Sequence, residues 1–292
     1  LQEILRDQHF LAVIGPSGSG KSSLVRAGLL PALPLGAIGT GSDWRIAVLR
    51  PGNRPIRSLA KALLDAEVLG GELSGLAPAL LEAELRDEAH SLAALVESIR
   101  QRDAEADFNL LVVVDQFEEL FRYRALGDPQ GAAAEVATAF VNLLLEAAGQ
   151  PAEGALPVFV VITMRSDFLG ECAQFDGLPE AINRGQYLVP RMGREQRRAA
   201  IAGPLGVCGA SIDPVLLTRL VNEVGDNPDQ LAILQHALNR TWACWRDAGA
   251  SGPLLADHYD AKGAMAGALD QHADEALAVL QPGRQQALCE AL

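Results

Sequence analysis

The run Gly15-Pro16-Ser17-Gly18-Ser19-Gly20-Lys21-Ser22 fits the spacing G-x-x-x-x-G-K-[ST] without a mismatch. Residues of these types at this spacing bind phosphate. Glycines at 15, 18 and 20 let the backbone take dihedrals that side chains forbid and pass close to phosphate oxygens. The N–H groups of such a loop point inward, and the helix after it adds the positive end of its dipole. Lys21 is placed for the β- and γ-phosphates and Ser22 for Mg²⁺, with Pro16, Ser17, Ser19 and Ser23 completing the cradle. A glycine-rich turn before an ordinary helix would need neither a strand ahead of it nor Lys21 and Ser22 together.

A second group lies downstream. The apolar run Leu110-Leu111-Val112-Val113-Val114 ends on Asp115. In phosphate-loop enzymes an acid at the end of a neighbouring buried strand holds Mg²⁺, usually through water. Gln116 follows, and a glutamine orients a water but cannot take its proton, so slow hydrolysis is expected. Glu118 and Glu119 come next. One of them could be the general base, or both could be first-turn acids favoured by a helix dipole, and the residues leave this open. Arg165 falls just past a fourth apolar run, where it could sense the γ-phosphate or pair with Asp167.

Strand-type runs over 10–14, 45–49, 109–115, 157–163 and 186–189 must carry these groups. Helical spacing over 1–8, 23–30, 58–69, 76–85, 91–100 and 132–147 alternates with them. Pro31 and Pro34 are expected to end the helix after the loop, and Pro190 the last strand. Near-continuous apolar strands are covered on both faces. The fold class is therefore α/β: a P-loop NTPase with a five-stranded, mostly parallel sheet, followed by an all-helical domain.

Beyond residue 190 only helices are expected. They run over 194–201, ending near Gly203-Pro204, over 215–224 behind an Asp213-Pro214 cap, over 229–245, and over 265–280. Leu231, Leu234, Leu238, Trp242 and Trp245 form a core stripe. The expected division is 1–190 for the nucleotide-binding domain, 191–250 for the helical domain and 251–292 for the start of a third module.

Of 292 residues, 49% are hydrophobic and the formal net charge is −13, so a sizeable core is possible and nucleic acid is disfavoured as the main ligand. Arg191, Arg194, Arg197 and Arg198 form either a local basic patch or a solvated helix face. Cys172, Cys208, Cys244 and Cys289 make no C-x-x-C pair, which points to reduced thiols in a cytoplasmic setting rather than disulfides or zinc. No apolar run reaches membrane-spanning length and no signal peptide opens the chain. Leu1 and Leu292 both fall inside amphipathic patterns, so a piece of a longer protein is expected.

Three motifs together resemble the novel STAND NTPases of the bacterial type. They are Gly15 to Ser23 with Leu24-Val25-Arg26-Ala27-Gly28-Leu29-Leu30-Pro31, Val113-Val114-Asp115-Gln116-Phe117-Glu118-Glu119-Leu120-Phe121, and Thr163-Met164-Arg165-Ser166-Asp167-Phe168-Leu169. Asn227-Pro228-Asp229-Gln230-Leu231 and Leu234-Gln235-His236-Ala237-Leu238 resemble the family's helical segment. The resemblance implies ATP/ADP switching with Mg²⁺ that gates homo-oligomerisation and an effector in the same full-length chain. It implies a winged-helix-like third module, Arg165 as the sensor, and Pro228 near the adenine. This chain reads Gly225-x-x-Pro228 where the family has G-x-P. Two other readings are a nucleotide-binding scaffold without significant hydrolysis and an ABC-type ATPase. For the latter, Leu73-Ser74-Gly75-Leu76 is a partial signature placed too early. A small-molecule kinase fits the helical extension poorly.

Overall fold

The computed structural model describes residues 1–36, 38–39, 41, 43–65, 67–73, 75–86, 92–102, 108–125, 132–150, 157–224 and 230–279. The chain forms two compact units: Leu1–Pro16 with Gly20–Val189, and Ser17–Ser19 with Pro190–Leu292.

The first unit opens with α1 (Gln2–Asp7) and β1 (Phe10–Gly15), which runs into the phosphate loop. A short α2 (Lys21–Ser23) continues as a π-helical segment, Leu24–Leu29, and a 3-10 segment, Leu30–Leu35. The π-helical run stops at Leu29, just before Pro31 as expected, and the chain continues as the 3-10 segment that contains both prolines. Pro31 occupies the first turn of the 3-10 segment, where a missing N–H is tolerated. Gly36 ends that segment, in a left-handed conformation at φ 79°. Then come β2 (Trp44–Leu49), α3 (Pro55–Leu63), α4 (Pro78–Arg86), α5 (Leu92–Arg102), β3 (Asn109–Val114), α6 (Glu119–Ala125) and α7 (Ala132–Ala147). After β4 (Val158–Arg165), a 3-10 segment Ser166–Gln174 and α8 (Leu178–Arg184) lead to β5 (Gln186–Leu188).

The five strands form one sheet in the order β2-β3-β4-β1-β5. Every pairing is parallel. Side chains alternate between two cores, as the pleat requires. Ala12, Ile14, Val112, Val114, Val160 and Ile162 enter one core with α3, α4, α5, α7 and α8. Leu11, Val13, Leu111, Val113, Phe159 and Val161 enter the other with Leu5, Val25, Leu29 and Leu33. Burial on both faces explains why these strands are continuous apolar runs. Where α8 meets β1, Gly185 packs so closely that a Cβ there would lie 2.1 Å from the Phe10 carbonyl oxygen.

The second unit is helical: α9 (Arg194–Val207), α10 (Pro214–Glu223), α11 (Gln230–Asp247), α12 (Ala256–Asp260) and α13 (Ala264–Val279). Pro204 lies inside α9, which runs on to Val207 rather than stopping at Gly203-Pro204. Asp213 caps α10 as its position predicts, with Oδ2 accepting from the backbone N–H of Val215 (3.0 Å) and Leu216 (3.1 Å). Leu234 and Trp245 of the α11 stripe are buried, with Leu231, Leu238 and Trp242 packed against the same core. That core also holds Leu254, Tyr259 and Ala268, and the strand-like bridge Ile212–Leu254 joins it. It is therefore continuous across the expected boundary at 250/251: residues 254–268 share one apolar cluster with α9, α10 and α11.

Candidate functional site

Parallel pairing brings the C-terminal ends of β1, β3 and β4 to one edge of the sheet. The sequence reading makes β1 and the Asp115 strand neighbours. In the structure β4 lies between them. The register sets Gly15 opposite Arg165 and Val114 opposite Ile162, so Asp115 emerges beside Thr163.

Gly18 and Gly20 take positive φ, 69° and 88°, and only glycine does so at no steric cost. Gly15 does not share this role: it is the last residue of β1, in extended pairing. Lys21 begins α2 and folds back over the loop, with Nζ donating to the carbonyls of Gly15 (3.0 Å) and Pro16 (2.7 Å). It does not pair with Asp115 directly. Burial pushes its ammonium below the ordinary lysine range, and Glu118 opposes this most strongly. The Ser19 hydroxyl is buried in the loop without a hydrogen-bond partner among the described residues.

Asp115, 1% exposed, is the hub. Ser22 Oγ donates to Oδ1 at 2.6 Å, and Thr163 Oγ1 donates to the same oxygen at 2.7 Å. Arg26 Nη2 lies 3.2 Å from Oδ2. Burial alone would raise this carboxyl. The Ser22 and Thr163 hydroxyls, then the charges of Arg26 and Arg50, outweigh it and hold Asp115 below the usual carboxylate range. Thr163 also accepts from the Gln116 N–H at 3.0 Å. Gln116 sits at φ 59°, a left-handed conformation that a non-glycine residue holds only when its surroundings impose it.

The two glutamates separate. Glu119 starts α6, and its Oε2 accepts from the Gly52 N–H at 3.0 Å. Glu118 is 7% exposed, and its Oε2 faces the Arg165 N–H at 3.4 Å. Arg165 donates Nη2 to Asp167, the pairing held open as its alternative, and this holds the Asp167 carboxyl below its ordinary range. Its guanidinium also lies 5.7 Å from the Phe168 ring centre, and its Nε is buried without a partner among the described residues. Pro228 lies outside the described residues.

Sequence reasoning gave no site role to Arg26, Arg50 or Thr163. A signal existed for two of them. Thr163 is a polar residue within the apolar β4 run, only 1% exposed, and Arg26 lies four residues beyond Ser22, one turn along a helix. The donor set fits a metal-bound polyphosphate. A hydroxyl and a buried carboxylate suit the hard cation Mg²⁺, and the folded-back Lys21 suits phosphate oxygens. Among the described residues, no helix is long and apolar enough to cross a membrane.

The family model described as Novel STAND NTPase 1 matches residues 1–292. No curated protein matches the sequence. Among solved structures, the chain is similar to the Aeropyrum pernix ORC2 protein in its ADPNP–ADP complexes, with TM-score 0.61 and 14% identity, covering 89% of this chain and 64% of that one. It is also similar to the Aeropyrum pernix ORC1 protein in complex with DNA, with TM-score 0.53 and 15% identity, covering 96% and 66%. The chain thus spans just under two thirds of the length of these structures. At such identity the likeness is one of fold.

Proposed function

This chain belongs to the Novel STAND NTPase 1 family of P-loop NTPases, and on that premise we propose that it is a slow, ATP-hydrolysing regulatory switch. Its nucleotide state would gate homo-oligomerisation and an effector within a longer protein. The observation that carries the reading is the 2.6 Å bond from the loop's Ser22 to the buried Asp115. It joins the phosphate loop to the acidic strand end across an intervening strand. Mg²⁺, when bound, supplies positive charge to the transferring phosphoryl group.

The chain's own residues divide the remaining work. Lys21 and the loop N–H groups bind phosphate, and Ser22 and Asp115 hold the metal. Thr163 fixes the rotamer of Asp115 and the backbone of Gln116. Gln116 orients the attacking water. Glu118 takes its proton in preference to Glu119, whose carboxylate is committed to the turn at Gly52. Arg165 would exchange Asp167 for the γ-phosphate, and differential binding of ATP and ADP would then shift the population between two arrangements of the chain. The DNA in the ORC1 complex is a property of that protein. This chain's charge of −13 counts against nucleic acid as its main ligand. A scaffold that binds nucleotide without hydrolysis is the second reading, supported by Gln116, which is no base, next to Asp115.

Calorimetry and phosphate release together test this. Lys21→Ala should weaken ATP binding by about 10- to 100-fold, as expected for a lost charge-assisted contact of about 1.5–3 kcal/mol. Glu118→Gln should keep ATP binding and reduce phosphate release by about 100-fold or more, the contribution of a general base. Unchanged binding in the first variant would remove the site. Absence of phosphate release in the wild type would leave the scaffold.

A further inference from the structure

The partners of Asp115 differ in kind. Ser22 and Thr163 bring neutral hydroxyls to Oδ1, whereas Arg26 brings a full positive charge to Oδ2 at 3.2 Å. Lys21 makes no contact ion pair with Asp115, since its ammonium donates to the carbonyls of Gly15 and Pro16, and its charge, like that of Arg50, acts on the carboxylate only at a distance. A carboxylate with 2% of its side chain exposed needs a counter-ion close by. We infer that Arg26 is the internal counter-ion of Asp115 and competes with a divalent metal for that carboxylate, so that metal uptake is coupled to release of Arg26.

The local structure allows this exchange. Arg26 stands within the π-helical segment Leu24–Leu29, the kind of irregular turn often found at functional sites. Ser22 and Arg26 lie one helical turn apart, and both reach the one carboxylate. The two partners are unequal in freedom. The Arg26 side chain is 53% exposed and can swing into water without disturbing the core, while Asp115 is buried and held by Ser22 and Thr163. A pair with one half-exposed member is weak. A metal therefore displaces it at a modest penalty, set by a residue outside the G-x-x-x-x-G-K-[ST] spacing. Two cations on one buried carboxylate repel, so both do not stay.

This rests on reading Asp115 as the metal-side acid, and the experiment separates the two claims. The full chain is loaded with ADP, Mn²⁺ binding is followed by electron paramagnetic resonance, and ADP binding in EDTA is followed separately with a fluorescent analogue. Arg26→Gln should tighten Mn²⁺ binding by about two- to fivefold, the range of a half-exposed ion pair removed from competition. In EDTA the same variant should melt below the wild type, and Mn²⁺ should raise its melting temperature by more than it raises that of the wild type. Arg26→Lys, which keeps the charge but loses the planar fork, should fall between the two and serves if Arg26→Gln does not fold. Equal or weaker Mn²⁺ binding in the substituted chain, with ADP and Mn²⁺ binding intact in the wild type, overturns the inference alone. A wild type that binds no ADP sinks the parent reading and this one with it.

Discussion

The two units use buried polar groups for opposite purposes. In the first, Asp115, Glu118 and Thr163 are buried at the end of a parallel sheet, and Gln116 is held in a left-handed conformation beside them. Desolvating these groups and straining the backbone costs stability. In the second, Tyr259 donates to Glu223 Oε2 at 2.5 Å and accepts from the Met265 N–H at 2.9 Å, and Arg219 pairs with both Glu223 and Asp260. Those bonds tie α10 to α12 and to the start of α13. Burial and the bond to Glu223 push the Tyr259 phenol well above its usual range, so it remains a neutral donor. A desolvated carboxylate costs more than a desolvated phenol, so the first arrangement gives up more stability than the second.

If that contrast is right, substitutions in the two units should separate stability from binding. The largest effect is expected from Phe140→Ala, which empties a fully buried position in the core between α7 and the sheet. It should cost about 3–5 kcal/mol. Because nucleotide binding needs the sheet, denaturant unfolding and ADP binding should be lost together. Tyr259→Phe should cost about 1–3 kcal/mol by leaving the Met265 N–H without its acceptor. Hydrogen exchange should show lost protection over 256–268 while ADP affinity stays unchanged. A matching fall in ADP affinity would break the contrast.

The smallest effect concerns pH. The folded Asp115 carboxyl lies below its unfolded value, so its contribution to stability is fully present above about pH 4, the ordinary aspartate range. That contribution fades as pH falls through the lower folded value. Asp115→Asn should therefore flatten the acid limb of the stability curve and leave it unaltered near neutrality, apart from a constant offset. An acid limb identical to that of the wild type would mean that Asp115 gains nothing from Ser22, Thr163 and Arg26.

Much of the fold was legible because it rests on short-range patterning. The runs that become β1, β3 and β4 are short, apolar and rich in Val and Ile, and they are buried along nearly their whole length, as strands covered on both faces are. Asp213 as a cap and the α11 stripe follow from local rules of the same sort. The failures were also local rules, overruled by packing. Pro204 sits inside α9, which runs on to Val207. Glu118 and Glu119 are adjacent in sequence, and only the turn at Gly52 and the end of β4 send their carboxylates to different partners.

The residues by themselves determined that a phosphate loop, an acid-terminated strand and an arginine-terminated strand exist, because each depends on the chemistry of a few consecutive side chains. Only the tertiary structure decided that β4 stands between the loop strand and the acid strand, and so that Thr163 and Arg26 join Ser22 on Asp115. Strand order is set by how whole layers of helices cover a sheet. No short window of sequence carries that information.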